Sequence, residues 1–175
     1  MRDDDCPGVV EELSESEVRH LTAALDDEYQ ARATYTQVIA DFGNVRPFSN
    51  IVDAEDRHAR ALINVFERYG VPVPPDTWPG RAPRYESLHA ACEAGVEAEI
   101  ANAALYDELL ASTDRPDIIE VYRNLQEASQ ERHLPAFRRC AARGGDAPSG
   151  GDGDGDERGG PGGGQRRRRR RRGGD

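Results

Sequence analysis

All 23 basic residues of this 175-residue chain are arginine, so lysine is missing altogether. In an acidic chain that bias fits a GC-rich genome or a high-salt cytoplasm, and it points to no activity. Cysteine is scarce as well. Cys6, Cys92 and Cys140 are odd in number, widely spaced and free of any Cys-x-x-Cys pair. Neither a disulfide framework nor a zinc ribbon is expected, and Cys92 and Cys140 read as small buried hydrophobes. The sequence has no run of eighteen apolar residues, which speaks against a membrane span. Its start, Met1-Arg2-Asp3-Asp4-Asp5, lacks the basic-then-apolar order of a secretory signal. The expected compartment is therefore the cytoplasm.

The formal charge of −10 is unevenly spread. Residues 144–175 hold eight arginines against six acids, a surplus of +2, which leaves −12 on the rest of the chain. An acidic body repels nucleic acid and anionic lipid. Only the tail, with seven consecutive arginines from Arg166 to Arg172, would draw a phosphate backbone, and weakly beside its Gly-Asp repeats. That Gly-Asp run lacks the ligand order and the twelfth-position glutamate of an EF-hand loop. Residues 144–175 cannot form a core and are expected to be disordered, as is a flexible start over residues 1–12.

Between these ends, 13–143 reads as one domain. Ser14-Glu15-Ser16-Glu17 has capping-box spacing, with Leu13 placed as a hydrophobic staple. Val18, Leu21, Leu25, Tyr35, Ile39 and Phe42 then recur at helical spacing until Gly43-Asn44. Pro47 opens a second helix whose face is Phe48, Ile51, Leu62, Val65, Phe66 and Tyr69, with Gly70 as its stop. Pro72, Pro74, Pro75, Pro79 and Pro83 impose an extended crossover. A third helix is expected from 85 to 111, and a fourth after Asp114, as cap, to 143. Four helices joined short, long, short make an all-α bundle with one long crossover between the second and third.

The apolar stripes are interrupted in a regular way. Glu28 falls on the buried face of the first helix, Glu55 and His58 on that of the second, Glu99 on the third and His133 on the fourth. Buried carboxylates need compensation, and a divalent cation supplies it; iron and manganese accept mixed carboxylate and imidazole ligands. The pattern also repeats. Glu28 and Tyr35 are seven apart, as are Glu99 and Tyr106, while Glu55-Asp56-Arg57-His58 aligns with Gln130-Glu131-Arg132-His133.

On these motifs the chain resembles the ferritin-like superfamily. The stretches Ala-Glu-Asp-Arg-His, Glu-Ala-Glu-Ile-Ala-Asn and Ala-Ser-Gln-Glu-Arg-His-Leu-Pro-Ala-Phe are similar to the group catalogued as domain of unknown function 2202. The resemblance implies a ferritin-like four-helix bundle of the rubrerythrin and ferritin type. It also implies a site of Glu28, Glu55, His58, Glu99, Gln130 and His133 for two irons or manganeses, and redox chemistry on oxygen or peroxide. Gln130 departs from the family's glutamate. The alternative is a non-enzymatic scaffold whose degenerate site is compensated by Arg32, and a single ion at Glu28, Glu55 and His58 is a third reading. Tyr35 and Tyr106 are expected as core aromatics or as donors to the site carboxylates, and Pro135 as a bend beside His133. Metal ions, and further copies of the chain in a homo-oligomer, are the expected partners.

Overall fold

Ser14 caps the first helix as its spacing predicts. Its hydroxyl accepts from Glu17 N–H (3.2 Å) while Glu17 Oε2 accepts from Ser14 N–H (2.8 Å), and Leu13 packs on the core behind it. Helix α1 runs from there over Glu15–Phe42. In this computed structural model, which describes residues 11–144, α2 spans Phe48–Arg68, α3 Leu88–Leu110, α4 Pro116–Ala128 and α5 Leu134–Gly144. A π-helical turn, Ser129–His133, joins α4 to α5, so the two form one interrupted rod and the bundle has four. The expected flexible start, disordered tail and arginine run fall mostly or wholly outside the described residues.

The ends follow local chemistry. Gly70 adopts a left-handed φ of 65°, and Val71 N–H reaches back to Phe66 O (2.9 Å) while Gly70 N–H reaches Glu67 O (3.1 Å), a Schellman closure of α2. Ser87 caps α3, accepting from Ala90 N–H, so that helix begins three residues later than its pattern suggests. The fourth rod is capped at Arg115, with Pro116 in its first turn, and not at Asp114. Arg115 sends its side chain away from the helix to Glu17 (2.8 Å) and to the carbonyls of Glu11 and Glu12, tying the α4 start to the α1 start.

Antiparallel pairing of α1 with α2, and of α3 with the α4–α5 rod, makes two hairpins. The proline-rich crossover between them is pinned to α1, because Trp78 donates to Asp26 (2.9 Å) and Arg32 to Asp76 (2.6 Å). The core is in two parts. One, around Leu21, Leu25, Leu62, Phe66, Tyr106 and Tyr122, fills one end of the bundle; the other, around Tyr35, Val38, Phe48, Cys92 and Phe137, fills the opposite end. Gly95 lets Phe137 lie against α3, since a Cβ there would meet its ring at 2.5 Å. Among the described residues, no helix is long and apolar enough to cross a membrane.

Candidate metal centre

A layer of polar side chains separates the two apolar clusters. Glu28, Glu55, Glu99, Ser129 and His133 are all at most 5% exposed, and His58 is half-buried beside them. Glu28, Glu55, His58, Glu99 and His133 arrive on the inward faces of their helices, as the stripes predict, so five of the six expected site residues converge. Glu28, Glu55 and His58 offer ligand atoms within 4.8 Å of one another, and so do Glu55, Glu99 and His133. Glu55 belongs to both sets. Its Oε2 lies 2.9 Å from His58 Nδ1 and its Oε1 3.2 Å from His133 Nδ1. Glu28 Oε2 stands 3.2 Å from His58, Glu99 Oε1 3.6 Å from His133, and the two imidazoles stack with centroids 5.5 Å apart.

Gln130, the sixth expected residue, is exposed and outside the cluster. The cause is the π turn. Leu134 N–H bonds to Ser129 O five residues back, and this wider turn brings Ser129, four before His133, into line where an α-helix would have brought Gln130, three before. Pro135 contributes, because it has no N–H to give the carbonyl of Glu131. Ser129 donates to Glu99 Oε2 and approaches the Glu99 carbonyl. The expected bend beside His133 is this turn, and its sequence sign was Pro135. Nothing in the spacing alone singled out Ser129.

The two tyrosines cross over. Tyr35, on α1 with Glu28, donates to Glu99 on α3 (2.9 Å), whereas Tyr106, on α3 with Glu99, donates to Glu28 on α1 (2.7 Å). Both phenols are held well above their ordinary pKa, first by burial and then by the carboxylates they face, so they remain donors.

Arg32 does not enter. It pairs with Asp56 (2.8 Å) and Asp76 (2.6 Å) and lies over the Tyr29 ring, on the outer side of the α1–α2 hairpin. Compensation of the buried charge by a guanidinium, the basis of the scaffold alternative, is thus not found among the described residues. The cluster balances itself with protons instead. Burial pushes Glu28 up to about 8, against the pull of His58. Burial would raise Glu55 too, but hydrogen bonds from His133, His58 and Glu28 outweigh it and bring it to about 2. Burial would lower both histidines; their glutamate partners prevail and raise each to about 9. A desolvated ion costs several kcal/mol even after relaxation, while a hydrogen bond to a charged group returns about 1.5–3. Neutral pairing by bound protons is therefore needed as well as hydrogen bonding.

A cavity of about 220 Å³ leads to this layer between α1 and α3, under Pro83 and Tyr85 of the crossover. Asp27, Asn102, Tyr35 and Ser129 line it together with the five cluster residues. Asn102 donates to Asp27 (2.7 Å), whose carboxyl burial pushes up. Sequence reading passed over Asp27 because it neighbours Glu28 and looks like a solvated charge.

The cysteines also depart from expectation. Cys92 on α3 and Cys140 on α5 form a disulfide, with Cα atoms 5.7 Å apart across 48 residues of sequence. Both were rightly expected to be buried, but an odd cysteine count at wide spacing gave no sign that the packing of α3 on α5 would bring two of them together.

Fold and site define a four-helix bundle with a buried carboxylate–histidine layer. The uncharacterized protein MJ0754 of Methanocaldococcus jannaschii is 27% identical over 142 residues, covering 73% of this chain and 76% of its own. The crystal structure of hypothetical protein MJ0754 from Methanococcus jannaschii matches with a TM-score of 0.70 and 25% identity, covering 77% of this chain and 85% of that one. No protein-family model matches the chain.

Proposed function

We propose that this is a ferritin-like metal-binding protein holding two iron or manganese ions, one at Glu28, Glu55 and His58 and one at Glu55, Glu99 and His133, and acting on oxygen or peroxide. The observation that carries this reading is the buried layer itself, in which three carboxylates and two imidazoles converge without an arginine. The donor set fits such ions: hard oxygens and borderline nitrogens in the mixture that iron and manganese accept. When bound, the ions would supply one-electron steps and Lewis acidity.

The chain's own part is to prepare the ligands. Glu55 offers one oxygen to each triad. Tyr35 and Ser129 fix the carboxylate of Glu99, and Tyr106 fixes that of Glu28, leaving the imidazole Nδ1 atoms to complete each set. Glu28 and the two imidazolium ions carry three protons that ions would displace, so two divalent cations would replace bound protons as the compensating charge. The cavity of about 220 Å³ gives a small substrate such as dioxygen or peroxide a way to the layer. The cytoplasm is part of this proposal.

The test is metal content. The full chain is loaded anaerobically with ferrous or manganous ion and compared with a His58→Ala, His133→Ala double variant. Two ions per chain, lost in the variant, are expected; a wild-type chain that retains none would sink the proposal. Retention of one ion would favour the single-ion reading, for which the replacement of a carboxylate by Ser129 in the second half is the specific support.

A further inference from the structure

The disulfide stands in a regular relation to the second triad. Cys92 precedes Glu99 by seven residues on α3, and Cys140 follows His133 by seven along the fourth rod. Two helical turns, about 10 Å of rise, thus separate each cysteine from a candidate ligand. The intervening space is packed. Tyr35 bonds to Glu99 at one end, and its ring meets Phe137 (centroids 5.2 Å) inside the apolar cluster that contains both cysteines. Cys92 is fully buried and Cys140 only 7% exposed. In that setting a thiol is disfavoured as thiolate and reacts slowly with dissolved oxidant. Tyr35, bonded to Glu99 and packed on Phe137, is the side chain that spans the space between the apolar cluster of the pair and the carboxylate–histidine layer.

We propose that Cys92 and Cys140 form a dithiol–disulfide couple that stores two electrons for the metal centre, making the chain a thiol-dependent peroxide reductase. This rests on the function proposed above. Two S–H bonds break and one S–S bond forms, releasing two electrons and two protons. The O–O bond of hydrogen peroxide breaks and takes up both, giving two waters. In a reducing cytoplasm the pair begins as a dithiol, and a small thiol reductant returns it slowly to that state by disulfide exchange at Cys140, the residue of the pair that reaches the surface. The disulfide form described above is the product side of the cycle.

The test uses the full chain carrying Cys6→Ser, in dithiol and disulfide forms, each loaded anaerobically with ferrous ion, analysed for bound metal and helix content, and then titrated with hydrogen peroxide. The dithiol form is expected to consume one more equivalent of peroxide than the disulfide form, to lose two thiols, and to yield the Cys92–Cys140 cross-linked peptide. Zinc has no redox chemistry, so zinc-loaded and metal-free dithiol chains should lose their thiols at least about tenfold more slowly, by direct attack on buried sulfur alone. Equal rates with and without a redox-active ion would overturn the proposal, as would thiols that survive while peroxide is consumed. Collapse of the helices on reduction would overturn it too, because a couple that unfolds the chain cannot cycle. Failure to bind metal in either form would instead remove the function beneath it, and the metal analysis made before the titration separates that case.

Discussion

The two hairpins carry the same signs in sequence and differ where they meet the cluster. In the first, Glu55 and His58 lie three apart on an unbroken α-helix, and the glutamate reaches both imidazoles. In the second, Ser129 and His133 lie four apart across a π turn, and the serine serves Glu99 by a hydrogen bond. A repeat in sequence is therefore not a repeat in ligands. The first half supplies charge to both triads, and the second depends on it.

That dependence gives the largest expected effect. Glu55→Gln removes the one carboxylate common to both triads, so metal content should fall from two ions per chain to none after dialysis, measured by elemental analysis; a variant retaining one ion would show the halves to be independent. Ser129→Glu tests the converse by returning a carboxylate to the second half. It should tighten the weaker ion by about tenfold or more and at the same time lower the melting temperature of the metal-free chain, since a fourth carboxylate joins three in a buried layer. A change of the same sign in both measurements would contradict the role assigned to Ser129.

The pH behaviour of the metal-free chain comes next. His58 and His133, raised from 6.5 to about 9, bind protons more tightly in the fold than in the unfolded chain. Their stabilisation is complete below pH 6.5 and disappears as pH climbs through 9. Glu28, raised from 4.5 to about 8, acts in the same direction over its own interval. Glu55 in the layer opposes them, as do Glu17, Asp56 and Asp117 outside it, but these lowered carboxyls lose their contribution only in acid, that of Glu55 as pH falls from 4.5 through about 2. Thermal unfolding in a chelator should thus show a lower melting temperature at pH 9 than at pH 6.5, and loading with metal near pH 7 should release about three protons per chain. A flat profile would mean that the layer is not held by protons.

The smallest expected effects come from the phenols. Tyr35→Phe and Tyr106→Phe each remove one buried hydrogen bond to a carboxylate, worth about 1–2 kcal/mol, as read from denaturant unfolding. Each should weaken the ion on the opposite hairpin more than the ion on its own, because the bonds cross between α1 and α3.

How much of this could be read beforehand depends on periodicity. Glu28, Glu55, His58, Glu99 and His133 were legible because a straight α-helix maps sequence spacing onto one face, and the ends at Ser14 and Gly70 were legible because caps are local chemistry. Gln130 was misplaced at the one point where the rod leaves the α-helical period, and there the spacing rule itself changes. Arg32 approaches the stripe of its helix and so offered itself as the compensating charge of the scaffold alternative, whereas Asp56 and Asp76, the second on the crossover, pull it outward. The pairing of Cys92 with Cys140 and the exchange of tyrosines between halves depend on how hairpins dock, which no local pattern records.

The crossed phenols bear on the order of events when the chain is made. Glu28 leaves the ribosome 78 residues ahead of Tyr106, and Tyr35 waits 64 residues for Glu99. Contacts so distant along the chain form late in folding. A nascent first hairpin would hold Glu28 and His58 with nothing yet to orient the glutamate, and the finished geometry would appear only on docking of the second. Assembly of the two halves is thus itself the step that matures the site, and a chain arrested midway would carry the ligands without their arrangement.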